Sequence, residues 1–295
     1  MSSDLFYSFK KKEGKVNYID EIMKNIKNLL CSMLVALLFL TGCQSEEHKQ
    51  AIAQFETISA EVTSKNEELD QSIEAAEIII NAKETALDET LYSTLESSIS
   101  NVKAAKIELM EQPKKLDDLL IAIDTLSKVD YSDVLKDLKT NQEKLERSIY
   151  QFTLVNNPKE SYVISCLKKV PNVIDISAVT EENDPNGNLN KPGGYTAQVF
   201  FSSDLLDQSQ FTKTTVIEKG TTCGGSVEVY TTVDYANKRN DYLSAFDGSI
   251  ISSGSHSVIG TVVVRTSDKL TASQQKKLEA NIIAALTEDN ESIKK

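Results

Sequence analysis

The chain has 295 residues, 44 Asp and Glu against 32 Lys and Arg, a formal net charge of −12, and 40% hydrophobic residues. That length allows more than one domain, and an acidic surplus disfavours nucleic acid and anionic lipid as partners, because phosphate binding needs clustered cations. Two histidines, with no H-E-x-x-H, G-x-S-x-G or P-loop pattern, leave zinc chemistry and serine or cysteine hydrolysis without their parts, so neither an enzyme nor a cofactor is expected.

The first 42 residues read as a signal region. Lys24 and Lys27 precede an uncharged run from Leu29 to Leu40, the size of a signal-peptide apolar segment and short for a membrane span. Met23 is the more natural start of such a signal. Leu40-Thr41-Gly42-Cys43 then resembles the bacterial lipobox, which implies a diacylglyceryl group on Cys43 and cleavage just before it. The resulting protein would sit on the extracellular side of the cell membrane, held by a lipid anchor. After residue 42 the chain keeps 26 basic and 40 acidic side chains, a formal charge of −14.

No glycine lies between Gly42 and Gly187, while nine of the eleven fall from Gly187 to Gly260, so two regions of different architecture are expected. Residues 43–157 read as all-α, either a bundle or an elongated stalk. Ile52, Phe55, Ile58, Val62, Leu69, Ile73, Ala76 and Ile80 place a first helix over about 47–81. Leu87 to Leu109 mark a second, ending before Pro113. A third, from Lys114 to Lys128, is expected to bury Leu116, Leu119, Leu120, Ile123 and Leu126. The fourth follows Asp130-Tyr131-Ser132 and carries Leu135, Leu138, Leu145, Ile149 and Phe152.

Residues 158–295 read as a small α+β head with a mainly antiparallel sheet of about four strands. A helix from Glu160 to Lys169 precedes strands at 173–179, 195–201, 227–232 and 258–266. Tyr195, Ala197, Val199 and Phe201 alternate with Thr196 and Gln198, which implies a sheet with one buried face. A helix near Asp234 carries Ala236, Tyr242, Leu243 and Phe246. The last helix opens with a capping box at Thr271 and Gln274. The fold class is therefore α+β, with the helical region first.

Three sites in the head admit a functional reading. Cys166 and Cys223 are the only cysteines left after the anchor and could bridge in an oxidising compartment, although Cys166 lies among Val163, Leu167 and Val170 at helical spacing, as an apolar filler would. Asp184, Asn186 and Asn188 alternate around Gly187 as calcium ligands do, but Gly193 stands where a bidentate Glu is wanted, and Pro-Asn-Gly is equally a turn. Tyr230 and Tyr235 with Lys238, Arg239 and Asp241 form either an exposed recognition patch or tyrosines packed on the sheet edge. His256, in a glycine-serine stretch, reads as a solvated turn residue.

The runs Asp184 to Phe201, Gly224 to Tyr230 and Gly260 to Thr271 are similar to a C-terminal region of Gram-positive surface lipoproteins, labelled homologues of a staphylococcal extracellular-matrix-binding protein. The similarity covers about residues 155–287. It implies adhesion to a protein or wall polymer, and it brings no catalytic or ligand-contacting residue with it. Cys223 departs from the polar or glycine residue expected there, against a family-wide disulfide. A ligand- or ion-sensing regulatory lipoprotein of the envelope is the alternative reading.

Overall fold

The computed structural model describes residues 45–248 and 254–289; Leu40, Thr41, Gly42 and Cys43 lie outside the described residues. The order is helical region first, then a five-stranded antiparallel sheet with its own helices. By packing, the chain falls into two compact units. Among the described residues, one takes those up to Thr57 with Gln112–Asp124, and the other takes Ile58–Glu111 and those from Thr125 onward. Among the described residues no helix is long and apolar enough to cross a membrane.

Helix α1 spans Glu46–Ala82 and, at 1.5 Å per residue, is about 55 Å long. Val62, Leu69, Ile73 and Ala76, all buried, form its apolar stripe in the second unit. Helix α2 (Thr90–Ala105) packs on α4 (Ser132–Val155), and Lys103 and Lys106 pair with Glu77 and Asp70 of α1. The second helix stops at Ala105, well before Pro113, because tertiary bonds take over its backbone. Asn66 Nδ2 donates to the Ile107 carbonyl at 2.9 Å, and the Ile107 amide donates to the Tyr131 hydroxyl at 3.0 Å. Leu109 is consequently exposed. In α3 (Leu116–Ser127) Leu119 is buried but Leu120 is 44% exposed, so the apolar stripe is narrower than its leucines suggest.

Helix α5 (Glu160–Leu167) leads into strands β1 (Val173–Ala178) and β2 (Ala197–Ser203). A short helix α6 (Val216–Lys219), with a Thr215–Glu218 capping box, precedes β3 (Gly224–Val229). Helix α7 (Val233–Ser244), β4 (His256–Ile259), β5 (Val262–Thr266) and α8 (Ala272–Leu286) complete the fold. The strand order is β1-β2-β3-β5-β4. The run at 258–266 is thus a hairpin and not one strand, because Gly260 turns the chain at φ +57°, a left-handed conformation costly for other residues. The capping box at Thr271 and Gln274 forms as the sequence predicts.

One face of the sheet carries the main core. Ala197, Val199, Phe201, Val227, Val229, Val262 and Val264 pack with Leu278 and Ile282 of α8, Val163 and Cys166 of α5, and Val155 of α4. Gly225 is glycine because a Cβ there would lie 2.4 Å from the Phe201 ring and 2.2 Å from the Arg265 carbonyl. The last turn of α4 belongs to this core. The Thr261 amide and hydroxyl both donate to the Val155 carbonyl at 3.0 Å, and the Asn157 amide donates back to the Thr261 hydroxyl at 2.6 Å. The change of composition at residue 157 is therefore not a change of packing.

The second face is covered too, which corrects the expectation of a sheet with one buried face. Every residue of β2, β3 and β5 is buried. Helix α7 covers β4 and β5, α6 covers β1 and β2, and the β1–β2 loop lays Leu189 across the middle. Alternation misleads because this second face carries Gln198, Ser226, Glu228 and Arg265, side chains that normally signal solvent.

Candidate binding cleft

Glu228 is the centre of the second face, and its side chain has no exposed surface. Strand periodicity puts it on the side of Ser226 and Tyr230, with Gln198 directly across on β2 and Val263 on β5. Arg239, from α7, reaches it with two bonds, Nε to Oε2 at 2.8 Å and Nη2 to Oε1 at 3.1 Å. Arg265 Nη1 donates to Oε1 at 3.0 Å and the Tyr230 hydroxyl to Oε2 at 2.8 Å. Burial alone would raise the Glu228 carboxyl, but the bonds and charge of Arg239, then the charge of Arg265, hold it below the usual carboxylate range. The same pairing raises Arg239 despite its own burial. One carboxylate thus fixes a helix and two strands by charge-assisted bonds.

Helix α7 begins where the Thr232 hydroxyl accepts from the Tyr235 amide at 3.2 Å. Its 3.6-residue period buries Ala236 and Leu243 and leaves Tyr235, Lys238, Arg239 and Tyr242 on the flank. Lys238 lies 5.5 Å from the Tyr235 ring centre and Arg239 5.5 Å from that of Tyr242, so each cation holds a ring in place. Tyr242 is 58% exposed.

The opposite wall is the β1–β2 loop, organised by Asp184. Its Oδ1 accepts from the Asn186 amide at 2.9 Å, and its Oδ2 accepts from the amides of Asn188 at 2.6 Å and Leu189 at 2.8 Å. The Tyr195 hydroxyl also donates to Asp184. Burial works against ionisation of Asp184, yet the Tyr195 bond and these amides lower its pKa. Donors therefore surround the carboxylate, the reverse of a calcium site. The alternation of Asp184, Asn186 and Asn188 builds a turn, with Asn186 Nδ2 directed to Tyr195 and Gln198. Among the described residues no group of His, Cys, Asp or Glu could hold a metal ion.

Between loop and helix lies a cleft of about 580 Å³, in the usual range of roughly 300–1,000 Å³ for small-ligand sites. Its wall consists of four tyrosines (195, 230, 235 and 242), Arg239, Lys238, two asparagines and the Pro192-Gly193-Gly194 backbone. A second depression of about 410 Å³ lies beside it and shares Pro192 to Tyr195 and Tyr235. Gly194 must be glycine, since a Cβ would lie 2.0 Å from the Asn188 carbonyl oxygen, while at Gly193 a Cβ would come within 3.6 Å of the Tyr235 ring.

Several expectations change here. Of the two readings of Tyr230 and Tyr235, packing holds for Tyr230, which is buried and bonded to Glu228, while Tyr235 is half-buried and its neighbour Tyr242 is exposed. Tyr195 lies with Tyr230 in an edge-to-face pair at 6.4 Å and not on the side of Ala197, because regular pairing of β2 begins only after it. Burial, then the neighbouring carboxylates, pushes both hydroxyls up, so they stay protonated and donate inward. His256 is not a turn residue. It sits on β4 with 6% of its side chain exposed, Nδ1 2.7 Å from Asn240 Oδ1 and Nε2 3.3 Å from Asp247 Oδ1. Cys166 and Cys223 are both free and buried, Cys166 in the main core and Cys223 beside Ser202 and the Gly220 carbonyl; burial pushes both thiols up.

Sequence reasoning missed Glu228 and Arg265, whose signal was a single charge of each sign inside otherwise apolar strand runs. No family model, curated protein or solved structure matches the chain.

Proposed function

We propose that the chain is a non-enzymatic lipoprotein, anchored through Cys43 on the extracellular side of the cell membrane, whose α+β head binds a protein or wall polymer through the tyrosine cleft. The cleft carries this reading. Its rings and cations are held in place by Glu228, Asp184 and neighbouring side chains before any ligand arrives, which lowers the ordering cost of binding. Its titratable groups are spent on structure: Arg239 and Lys238 are paired with Glu228 and Asp234, and the hydroxyls of Tyr195 and Tyr230 donate to carboxylates. Such groups hold a ligand better than they move protons.

Anchoring is supported by the basic residues, the apolar run and the box at Leu40 to Cys43. Two acyl chains suffice for stable attachment, at about 0.8 kcal/mol per buried methylene. Metabolic labelling with a radiolabelled fatty acid should mark the wild type and not Cys43→Ala, and Cys43→Ala should leave the membrane fraction. Equal membrane retention of the two would sink the anchor. For the cleft, Tyr235→Ala should abolish capture of the protein on cell-wall or matrix preparations at a temperature where circular dichroism shows the variant folded.

A further inference from the structure

The composition of the cleft wall points to the chemical class of its ligand. No Leu, Ile, Val, Met or Phe and no carboxylate lines either depression; Pro192 is the one apolar ring besides the tyrosines. A protein partner is normally gripped by an anchor side chain in a packed apolar pocket, and these walls offer none. They offer flat ring faces, amides, hydroxyl oxygens and paired cations. The Tyr195 and Tyr230 hydroxyls donate inward to Asp184 and Glu228 and both residues are buried, so the tyrosine surface open to a ligand is that of Tyr235 and Tyr242. Asn188, Lys238 and Arg239 contribute donors to the same wall, while the Asn186 amide hydrogens go to Tyr195 and Gln198.

Alternating donors and acceptors around aromatic faces match a molecule with many hydroxyl groups on its rim and C–H bonds on its faces. The positive C–H edges of such a ring meet the negative face of tyrosine. Lys238 and Arg239 are already paired with carboxylates, so a bare anion gains less from them than a neutral hydroxylated ring does, while Lys191 adds a cation to the second depression. The two depressions meet at Tyr235 and the Pro192-Gly193-Gly194 backbone, so the surface continues past one ring. That continuity suits a chain more than a single sugar.

We infer that the cleft binds a pyranose chain, an oligosaccharide stacked on Tyr235 and Tyr242 and hydrogen-bonded by Asn188 and Arg239. This rests on the cleft being the binding site, and the experiment separates the two. The full-length protein is titrated calorimetrically with a β-1,4-linked N-acetylglucosamine tetramer, as a neutral chain, and with a uronate-containing oligosaccharide of equal length, as an acidic one. Binding of either, weakened at least tenfold by both Tyr235→Ala and Tyr242→Ala in variants that circular dichroism shows to be folded at the titration temperature, is the expected result, and which chain binds distinguishes an envelope source from an acidic matrix source. Failure of both chains to bind overturns the inference. If capture on wall or matrix preparations still depends on Tyr235 but neither saccharide competes, the cleft remains the binding site and the ligand is not a saccharide. If saccharide binding survives both tyrosine substitutions, the assignment to the cleft is wrong.

Discussion

Glu228 has given up all contact with water, and Arg239 and Arg265 compensate it from two directions. Removing one member of such a set leaves its partners charged and desolvated, which typically costs more than the set contributes. Glu228→Gln should therefore destabilise the head by about 3 kcal/mol, measured by urea unfolding at pH 7. The pH dependence follows from the depressed carboxyls of Glu228 and Asp184. A carboxylate whose folded pKa lies below its unfolded value, about 4, stabilises the fold above that value. The contribution disappears as pH falls through the folded pKa. Wild-type stability should thus decline below about pH 5, and the gap to Glu228→Gln should narrow with acidification. A gap that widens toward low pH would show that the carboxyl is not held ionised. None of this was legible in the strand runs themselves, because alternation assigns a charge in a strand to water. Only the arrival of Arg239 from the helix that covers β4 and β5 makes the opposite assignment physical.

At the level of elements, two loops do more than connect. The β1–β2 loop folds around Asp184, and its tight return at Gly194 leaves no room for a side chain. Gly194→Ala should push the loop off the Tyr235 ring and cost about 1–3 kcal/mol, with a larger relative loss of ligand binding than of stability. Heteronuclear spectra of residues 184–195 would register the displacement. The β4–β5 turn closes the end of α4 through Thr261. Thr261→Val removes a donor to the Val155 carbonyl and an acceptor for the Asn157 amide, so a loss of about 1–2 kcal/mol is expected in thermal melts. Local rules read the capping box at Thr271 and most helix ends, since those depend on neighbours in sequence, but passed over the box at Thr215. They could not read the early end of α2 or the hairpin within 258–266, which are set by Asn66 and Tyr131 from far along the chain and by one left-handed glycine.

For the whole molecule, composition located the helical and mixed regions, and the α+β class follows from it. Packing is organised differently, since Val155 is fully buried in the core of the sheet and Tyr150 donates to Glu288 beyond α8 at 2.7 Å. A fragment from residue 132 to 289 should therefore melt higher than one from 158 to 289, and equal melting temperatures would mean that α4 adds nothing to the head. Covering of the second face was the largest feature hidden from the sequence, because its lining is polar and the residues that neutralise it come from three separate segments. The union of α4 with the β4–β5 turn carries a mechanical consequence. If the chain is anchored and bound as proposed, tension between its amino-terminal side and the cleft loads the bonds among Val155, Asn157 and Thr261 before the backbone that follows can straighten. Several short bonds loaded together yield at higher force than the same bonds opened one after another, so this junction would serve the tether as its rivet.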